Sequence, residues 1–263
     1  MRRIAAVARN TFREAARNKI LYSLLFFAVG LIVSALALGQ LSVHEDRRMI
    51  RDVGLFGVDI FSVLIAIFVG VNLLYKELAL KTVYTILPKP IARWEFVLGK
   101  WLGVMATLLA QIVIMGLVLA ATLLVEGGGE ALDTALAKAL WLLLMNVTIV
   151  TSVAMFFSSF SSPFLSGLFS LGVFVVGRSI PEVRALAERM GGAAGQALAA
   201  TCAVLPNLHL FTPSGTVVGG QHVSVHGAFV GTAYLGWTTA YAIGYSAVIL
   251  VCAMLIFRRR DFV

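Results

Sequence analysis

Long apolar runs separated by short polar segments are the dominant pattern along this chain. A helix needs about twenty apolar residues to cross the hydrocarbon core of a bilayer. Six runs approach or exceed that length, at 20–38, 55–74, 101–124, 140–157, 164–180 and 235–257. The second run carries Asp59, the fourth has a polar centre around Asn146, and the fifth is short and rich in glycine. We therefore predict an all-α fold, a polytopic membrane bundle of six transmembrane helices that forms one transmembrane domain over residues 1–263.

The composition excludes a water-soluble domain. Of the residues, 60% are hydrophobic and 13% are charged, and the mean hydropathy is +0.94. Soluble domains are about half apolar and a quarter charged, and a soluble fold of this composition has no place to bury its excess apolar surface. Two cysteines, Cys202 and Cys252, cannot form a disulfide framework. The class of small disulfide-bonded secreted proteins is therefore excluded as well.

The basic charge sets the predicted orientation. The net charge is +8, and most Lys and Arg residues fall on one side of the membrane if the amino terminus is cytoplasmic. Because short cytoplasmic loops carry an excess of Lys and Arg, we predict that both termini are cytoplasmic. The protein is then a multi-pass protein of the bacterial cytoplasmic (inner) membrane. The charge indicates contact with anionic membrane lipids rather than a nucleic-acid partner.

An amphipathic helix is predicted before the first apolar run, at 1–19. Its apolar residues share one face at helical spacing, namely Ile4, Val7, Ala8, Phe12 and Ala15. Arginines line the opposite face. Such a helix lies in the headgroup layer with its apolar face toward the lipid, so we predict an interfacial helix that anchors the chain. A sharper hypothesis is that it steers the first span against a partner subunit.

The longest extracytoplasmic segment is predicted at 181–226. Apolar residues recur at helical spacing after Pro181, and the pair Gly191-Gly192 is expected to break or bend that helix. We expect one or two short helices across the outer face, followed by an irregular loop at 205–227. The three histidines of this segment match no strong ligand spacing, so no metal site is predicted.

A structured cytoplasmic loop is predicted between the second and third spans, at 75–100. It contains a short amphipathic helix from Glu77 to about Ile86, and two prolines end that helix because proline removes a backbone donor. A second helix begins near Arg93 and continues directly into the third span. A helix held across the ends of two spans is suited to receive force from a soluble partner.

The chain carries no recognisable catalytic motif. It has no Gly-x-x-x-x-Gly-Lys-Ser/Thr phosphate loop, no GxSxG or HExxH motif, and no cluster of Cys and His ligands. We therefore expect that the chain is not an enzyme and binds no cofactor or metal directly. Its energy source is then an ion gradient or a separate ATPase.

Four segments give the sequence a family resemblance. They are ARNTFREAARNKILY before the first run, KELALKTVYTILPKPIARWEFVLGK in the cytoplasmic loop, LPNLHLF in the outer segment, and FRRRDF at the carboxyl end. The chain resembles the type-2 ATP-binding-cassette (ABC-2) permeases, in particular the six-span, short-loop branch that includes the nitrous-oxide-reductase maturation permeases. The family pattern in the loop is filled in order by Glu77, Thr82, Leu87, Pro88, Pro90, Arg93, Phe96, Gly99 and Lys100.

The resemblance implies how the chain works with partners. Permeases of this family homodimerise or pair with a sister permease, and they sit on two cytoplasmic ATPase subunits that hold ATP and Mg²⁺. The loop helix would dock into a cleft on the ATPase, so that closure of the ATPase pair tilts the spans and opens a path outward. The residues we assign to ATPase coupling on this basis are Glu77, Lys81, Thr82, Tyr84, Leu87, Pro88, Pro90 and Arg93. We expect the permease subunit of an ATP-driven exporter.

Polar residues inside the spans are candidates for the translocation path. They are Asp59, Gln111, Asn146 and Thr151. The alternative is that they form hydrogen bonds between helices. Asp59 lies about one turn inside the predicted outer boundary, and we expect it to face a subunit interface or a wet outer vestibule because an unpaired carboxylate in lipid is costly. Two other functions stay open: an ion-coupled secondary transporter, and a membrane scaffold or mechanotransmission subunit that moves no solute.

Cysteine reporters test the predicted topology. An impermeant thiol label added to intact cells is expected to react with reporters on the outer side, at Asp46, Glu130 and Ser214. Cytoplasmic reporters are expected to be protected, at Ala5, Thr85 and Val263. Labelling of the reporter at Thr85 from outside would contradict the topology.

Overall fold

The computed structural model of the chain describes residues 2–39, 46–79, 92–125, 134–212, 216–218, 221–223 and 231–259. In chain order these residues form nine α-helices, namely α1 (Arg2–Ala16), α2 (Lys19–Gly39), α3 (Asp46–Ala79), α4 (Arg93–Val125), α5 (Thr134–Ser158), α6 (Pro163–Arg178), α7 (Ile180–Met190), α8 (Gly192–Val204) and α9 (Thr232–Arg259). A 3₁₀ helix at Leu208–Phe211 and two strands, β1 (Thr216–Val218) and β2 (Gln221–Val223), precede α9. The fold is thus helical, as predicted, apart from one two-stranded sheet.

Five of the described helices are long and apolar enough to cross a membrane, and a bent pair supplies a sixth candidate by length and composition. The five single segments are Lys19–Ala37, Ile50–Asn72, Trp94–Val125, Thr134–Ser158 and Thr232–Ile256. The bent pair consists of α6 and α7, which meet at 71°. These segments confirm the prediction of a polytopic helical bundle.

Helix α6 covers the predicted fifth span, 164–180, to within two residues at each end. Helix α6 ends at Arg178, and its 16 residues extend only about 24 Å, less than the thickness of about 30 Å of a hydrocarbon core. Ser179 departs from helical geometry with φ −96° and ψ 19°, and α7 then carries Pro181 in its first turn, where proline is tolerated. The chain therefore bends at the end of α6, and the sixth candidate span is a bent pair of helices.

Helices α3 and α5 lie at the centre of the bundle. Most residues of their apolar segments are buried, whereas most residues of the segments in α2 and α9 are exposed. Large apolar side chains such as Phe26, Trp237 and Val248 are exposed on those outer helices. Soluble proteins rarely expose large contiguous apolar surfaces, so α2 and α9 have the surface expected of helices that face lipid.

Two of the long helices extend beyond their apolar runs. Helix α3 begins at Asp46, before the predicted span at 55–74. Helix α4 begins at Arg93, as predicted, and continues into the third span without a break. The backbone N–H of Ala92 donates to Oε2 of Glu95 (3.1 Å), which is half of a capping box and explains why the helix starts here. Hydropathy locates the apolar core of a span, and it does not detect charged turns at the ends of the helix.

Segment 181–226 contains more regular structure than predicted. Helices α7 and α8 are separated at Gly191 and Gly192, whose φ angles of 58° and 60° cost glycine little. The irregular loop predicted at 205–227 is wrong in part, because the 3₁₀ helix and the antiparallel pair of β1 and β2 lie within it. A Gly-Gly dipeptide between two short stretches that contain valine is typical of a β-hairpin, and this signal is present in the sequence.

The segment between α8 and β1 is fastened to α9 by tyrosine hydroxyls. The backbone N–H of Asn207 donates to the hydroxyl of Tyr241 (2.9 Å), and the hydroxyl of Tyr234 donates to the carbonyl of Leu210 (2.7 Å). Buried backbone groups outside regular structure need such partners. These bonds therefore hold the LPNLHLF segment against the bundle.

Helix α1 packs closely along the first half of α4. Two glycines of α4, Gly99 and Gly103, permit the approach. A Cβ atom at Gly103 would lie 2.6 Å from the carbonyl oxygen of Ala8 and 2.6 Å from Cβ of Thr11, and Thr11 is buried. Small residues four positions apart commonly allow membrane helices to pack closely, and this Gly-x-x-x-Gly pattern is visible in the sequence.

The contact with α4 gives α1 a packing partner that the sequence analysis does not predict. The apolar face of α1, which includes Val7 and Ala8, contacts Gly99 and Gly103 of α4. That face is therefore not available as a whole to lipid. Helix α1 is a packed element of the bundle, and its position in a membrane interface stays a prediction.

The substitution Gly103→Ala is expected to destabilise the protein, because the added Cβ would overlap the backbone of α1. Overpacking of this kind costs about 1–3 kcal/mol. The melting temperature in detergent should fall by several degrees, and trypsin should cut α1 faster. The matched control is Gly30→Ala, because a Cβ there would have no neighbour within 4 Å and alanine favours a helix. Equal melting temperatures for the two variants would contradict the packing.

Candidate functional site

Two regions carry the residues that the sequence singles out, the connection between α3 and α4 and the polar interior of the bundle. The connection covers 80–91, which lies outside the described residues. This segment contains Lys81, Thr82, Tyr84, Leu87, Pro88 and Pro90. Of Glu77 and Arg93, at the helix ends on either side, only the backbone is described. The two helices that flank the connection, α3 and α4, are described up to Ala79 and from Arg93. We call these two helix ends the frame of the connection.

Glu77 belongs to α3 rather than to a separate short helix. Helix α3 continues without a break from the second span to Ala79, so a new helix that starts at Glu77 is wrong. Residues 73–79 contain no glycine or proline, and Leu, Lys and Glu favour helix, which explains the continuation. The first residues of the predicted coupling helix are thus joined rigidly to the second span.

The start of α4 is held from two sides. Helix α1 packs against one side of it. On another side, the indole Nε1–H of Trp101 donates to Oγ of Ser152 on α5 (3.0 Å). Lys100 is only 2% exposed, and its Nζ lies 5.3 Å from the ring centroid of Phe96, within cation–π range. The base of α4 is therefore fixed to both α1 and α5.

The last part of α3 is also bound to α5. The hydroxyl of Ser158 donates to the carbonyl of Val71 (3.0 Å). Gly70 permits close packing there, since a Cβ at this position would lie 3.1 Å from Cβ of Ala154. We call the last turns of α3 and the first turns of α4 the α3–α4 end of the bundle. Helix α5 joins the two helices at this end.

A polar cluster occupies the centre of the bundle. Asp59 of α3 is 3% exposed, and its Oδ1 accepts a hydrogen bond from Nδ2 of Asn146 on α5 (2.9 Å). Its Oδ2 pairs with Nη1 of Arg178, the last residue of α6. Two of the four candidates for the translocation path, Asp59 and Asn146, are therefore in direct contact.

The position of Asp59 along its helix differs from the expected one. Asp59 lies nine residues into the segment Ile50–Asn72, about 13 Å along the helix axis, and not one turn inside its boundary. Its carboxylate contacts α5 and α6 of the same chain, and its place at a subunit interface or a wet vestibule stays a prediction. Burial of an unpaired carboxylate costs several kcal/mol. The contacts with Arg178 and Asn146 offset that cost.

Arg178 is the member of this cluster that sequence patterns do not single out. In the predicted topology it is one of the basic residues of the outer side. Its position at the end of an apolar run could have identified it as a partner for Asp59, because ionisable residues in spans are usually paired with one another. Its side chain is 30% exposed, and it immediately precedes the bend at Ser179. The ion pair thus joins α3 to the bend between α6 and α7.

Gln111 and Thr151, the other two candidates for the path, are buried outside this hydrogen-bonded cluster. The hydroxyl of Thr151 donates to the carbonyl of Val147 in its own helix (2.6 Å), as Ser and Thr often do within helices. Neither side-chain amide atom of Gln111 has a hydrogen-bond partner among the described residues. Buried polar atoms normally have partners, so Gln111 has hydrogen-bonding capacity left for water or a solute.

Metal ligands do not cluster in the described part of the chain. No group of three or more His, Cys, Asp or Glu side chains there could hold a metal ion. His209 lies in the 3₁₀ helix, whereas His226 falls outside the described residues.

The apolar spans define a polytopic helical membrane protein. A comparison with protein families matches residues 5–262 to the family described as ABC-2 family transporter protein. Because the match covers almost the whole chain, the protein belongs to the ABC-2 transporter family. A comparison with curated proteins found no match. The narrower resemblance to nitrous-oxide-reductase maturation permeases stays a prediction.

The substitution Asp59→Leu is expected to destabilise the bundle, because it leaves Arg178 without its partner. Breaking a buried ion pair costs about 3–5 kcal/mol, and we expect the lower end of that range because the Arg178 side chain is 30% exposed and can reach water. The double variant Asp59→Leu with Arg178→Leu should recover most of the loss, since no charge is then unpaired. Thermal unfolding of both single variants and the double variant gives the coupling energy. Additive effects of the two substitutions would show that the pair is not coupled.

Proposed function

We propose that the chain is the transmembrane permease subunit of an ATP-driven ABC exporter. The observation that carries the proposal is the frame of the connection at 80–91, which leaves from a continuous α3 and enters an α4 whose base is fixed to α1 and α5. A connection anchored in this way passes a displacement to the spans instead of absorbing it. Membership of the ABC-2 transporter family supports the same conclusion.

Force that enters at 80–91 reaches the bundle first through α4. This helix is uninterrupted over 33 residues, about 50 Å. Its base is held by the close contact at Gly103 and by the Trp101–Ser152 hydrogen bond. Displacement of the connection therefore moves α1, α4 and the end of α5 together.

A second route runs along α3. Because Glu77 is continuous with this helix, a tilt of the connection is transmitted along α3 to Asp59. The ion pair with Arg178 then passes the movement to the bend between α6 and α7. The two routes connect the side that receives force to the opposite side of the bundle, as an alternating path for a solute requires.

The partners follow from this function. Two permease copies, or this chain and a sister permease, would sit on two cytoplasmic ATPase subunits of a bacterial inner membrane, and surrounding lipids complete the assembly. ATP and Mg²⁺ would be bound by the ATPases, whereas the permease itself binds no cofactor and catalyses no reaction. Of the candidates for the path, Gln111 and Asn146 have side-chain amide atoms without a hydrogen-bond partner among the described residues.

An ion-coupled secondary transporter is the alternative from a different class. Carriers of that kind use ionisable residues within their spans as relays. Asp59 is paired with Arg178 and hydrogen-bonded to Asn146, an arrangement that favours a structural link over a proton relay. A scaffold that moves no solute would share the same frame, and a transport assay separates it from an exporter.

The double substitution Thr82→Pro with Tyr84→Ala tests the coupling. Proline disrupts a helix by removing a donor and clashing with the preceding turn, and alanine removes an aromatic side chain of the type that often anchors protein interfaces. The double variant should insert, keep its oligomeric state and melt within a few degrees of the wild type. ATPase subunits should no longer co-purify with it, or should hydrolyse ATP without response to the permease.

The matched control for this test is Thr82→Ala with Tyr84→Phe, which preserves helix formation and the aromatic ring. It should co-purify with ATPase subunits as the wild type does. Normal co-purification and normal transport by the Thr82→Pro, Tyr84→Ala variant would remove the physical basis for ATP coupling through this connection.

A further inference from the structure

An apolar groove opens between α3 and α6 near the α3–α4 end. Its volume is about 420 Å³, and its walls are almost entirely hydrophobic. Phe68 and Val71 of α3 and Phe164 and Leu168 of α6 line it. The Phe164 side chain is 78% exposed, and both helices belong to candidate membrane spans. The groove therefore opens toward the surroundings of the bundle at the depth of the membrane.

A polar cavity of about 340 Å³ adjoins this groove. It lies between the α1–α2 junction and α3. Its polar lining consists of Glu14, Arg17, Asn18, Lys19 and Asn72. Two cations and one carboxylate give the lining an excess of one positive charge. Among the side chains that the structure describes, neither Arg17 nor Lys19 forms an ion pair.

Asn72 lines both cavities. Successive residues of a helix are rotated by about 100° around its axis. Viewed along α3, Asn72 therefore lies between Phe68, which lines the groove, and Val69, which lines the polar cavity. An apolar groove and a basic polar cavity thus meet at one residue near the end of a span. This combination matches an amphipathic molecule with a negatively charged head, rather than a purely apolar or a purely ionic ligand.

We propose that the two cavities bind one anionic glycerophospholipid of the phosphatidylglycerol class. One acyl chain lies in the α3–α6 groove, and the phosphodiester pairs with Arg17 and Lys19. The carboxylate of Glu14 accepts a hydrogen bond from a headgroup hydroxyl, which distinguishes this headgroup from choline. Basic residues at the end of membrane helices attract anionic lipid headgroups in this way.

A lipid is favoured over a protein occupant because of where the two cavities lie. The groove borders the membrane, where acyl chains are always present, and the polar cavity lies next to the end of the Ile50–Asn72 span, where headgroups begin. A second copy of the chain would have to place a hydrophobic element and an anion in the same positions. The site does not rest on the proposed function, since it is argued from the linings of the two cavities alone.

Native mass spectrometry of the full chain in detergent tests the site with phosphatidylglycerol and phosphatidylcholine as probes. The wild type should retain phosphatidylglycerol in preference to phosphatidylcholine. The variant Arg17→Gln with Lys19→Gln should bind phosphatidylglycerol at least tenfold more weakly. The control Arg9→Gln with Arg13→Gln removes the same charge from exposed positions of α1, and it should bind as the wild type does. Equal loss in both double variants, or in neither, would overturn the headgroup assignment.

A second pair of variants tests the groove. A Cβ at Gly167 would meet only Ile67, at 4.0 Å, whereas a Cβ at Gly172 on the same helix would meet nothing within 4 Å. Gly167→Leu therefore fills the groove and should abolish retention of phosphatidylglycerol, while Gly172→Leu should leave it unchanged. Equal retention by the two variants would overturn the acyl-chain assignment. A change of oligomeric state in Gly167→Leu without loss of lipid would show that a second copy occupies the groove instead.

Discussion

The hydrocarbon core of a membrane offers no hydrogen-bond partner, so a charged group inside the bundle is costly unless another group of the protein pairs with it. The pair between Asp59 and Arg178 is the most costly instance of this constraint. Asp59 lies near the middle of its span, and only a cation that reaches it can offset its burial. Arg178 does so from the last turn of α6. The end of α6 is therefore fixed relative to α3, next to the bend at Ser179.

The apolar surroundings also limit what can hold the other helices of the bundle together. Lipid chains are as apolar as leucine, so burial of apolar surface alone does not drive helices together in a membrane. The bundle instead uses small residues and hydroxyl groups at its contacts. Gly103 admits α1, and Gly70 admits α5. The hydroxyl of Ser158 bonds the end of α3. Each contact works through close approach or a hydrogen bond, and for that reason a single added methyl group has a large effect.

The parts of the fold that sequence predicts are those with a local cause. Apolar length defines the spans, and the capping arrangement at Ala92 and Glu95 marks the start of α4. The partner of Asp59 has no local cause, because Arg178 lies 119 residues away. An amphipathic face also looks the same in sequence whether it contacts lipid or another helix, so the sequence does not predict the contact of α1 with α4. Polar residues within apolar runs identify the interior of the site, but only packing shows that Asp59 and Asn146 meet while Gln111 stays apart.

Helix α1 links the two helices that flank the connection at 80–91. It contacts α4 through Gly103, and the residues that follow it, such as Arg17, form a cavity with the end of α3. A displacement of α1 must therefore change the position of the α4 base relative to α3. Helix α1 is also the element that carries exposed basic residues next to a span. Anionic lipid bound at those residues would therefore act on the same helices that an ATPase would move.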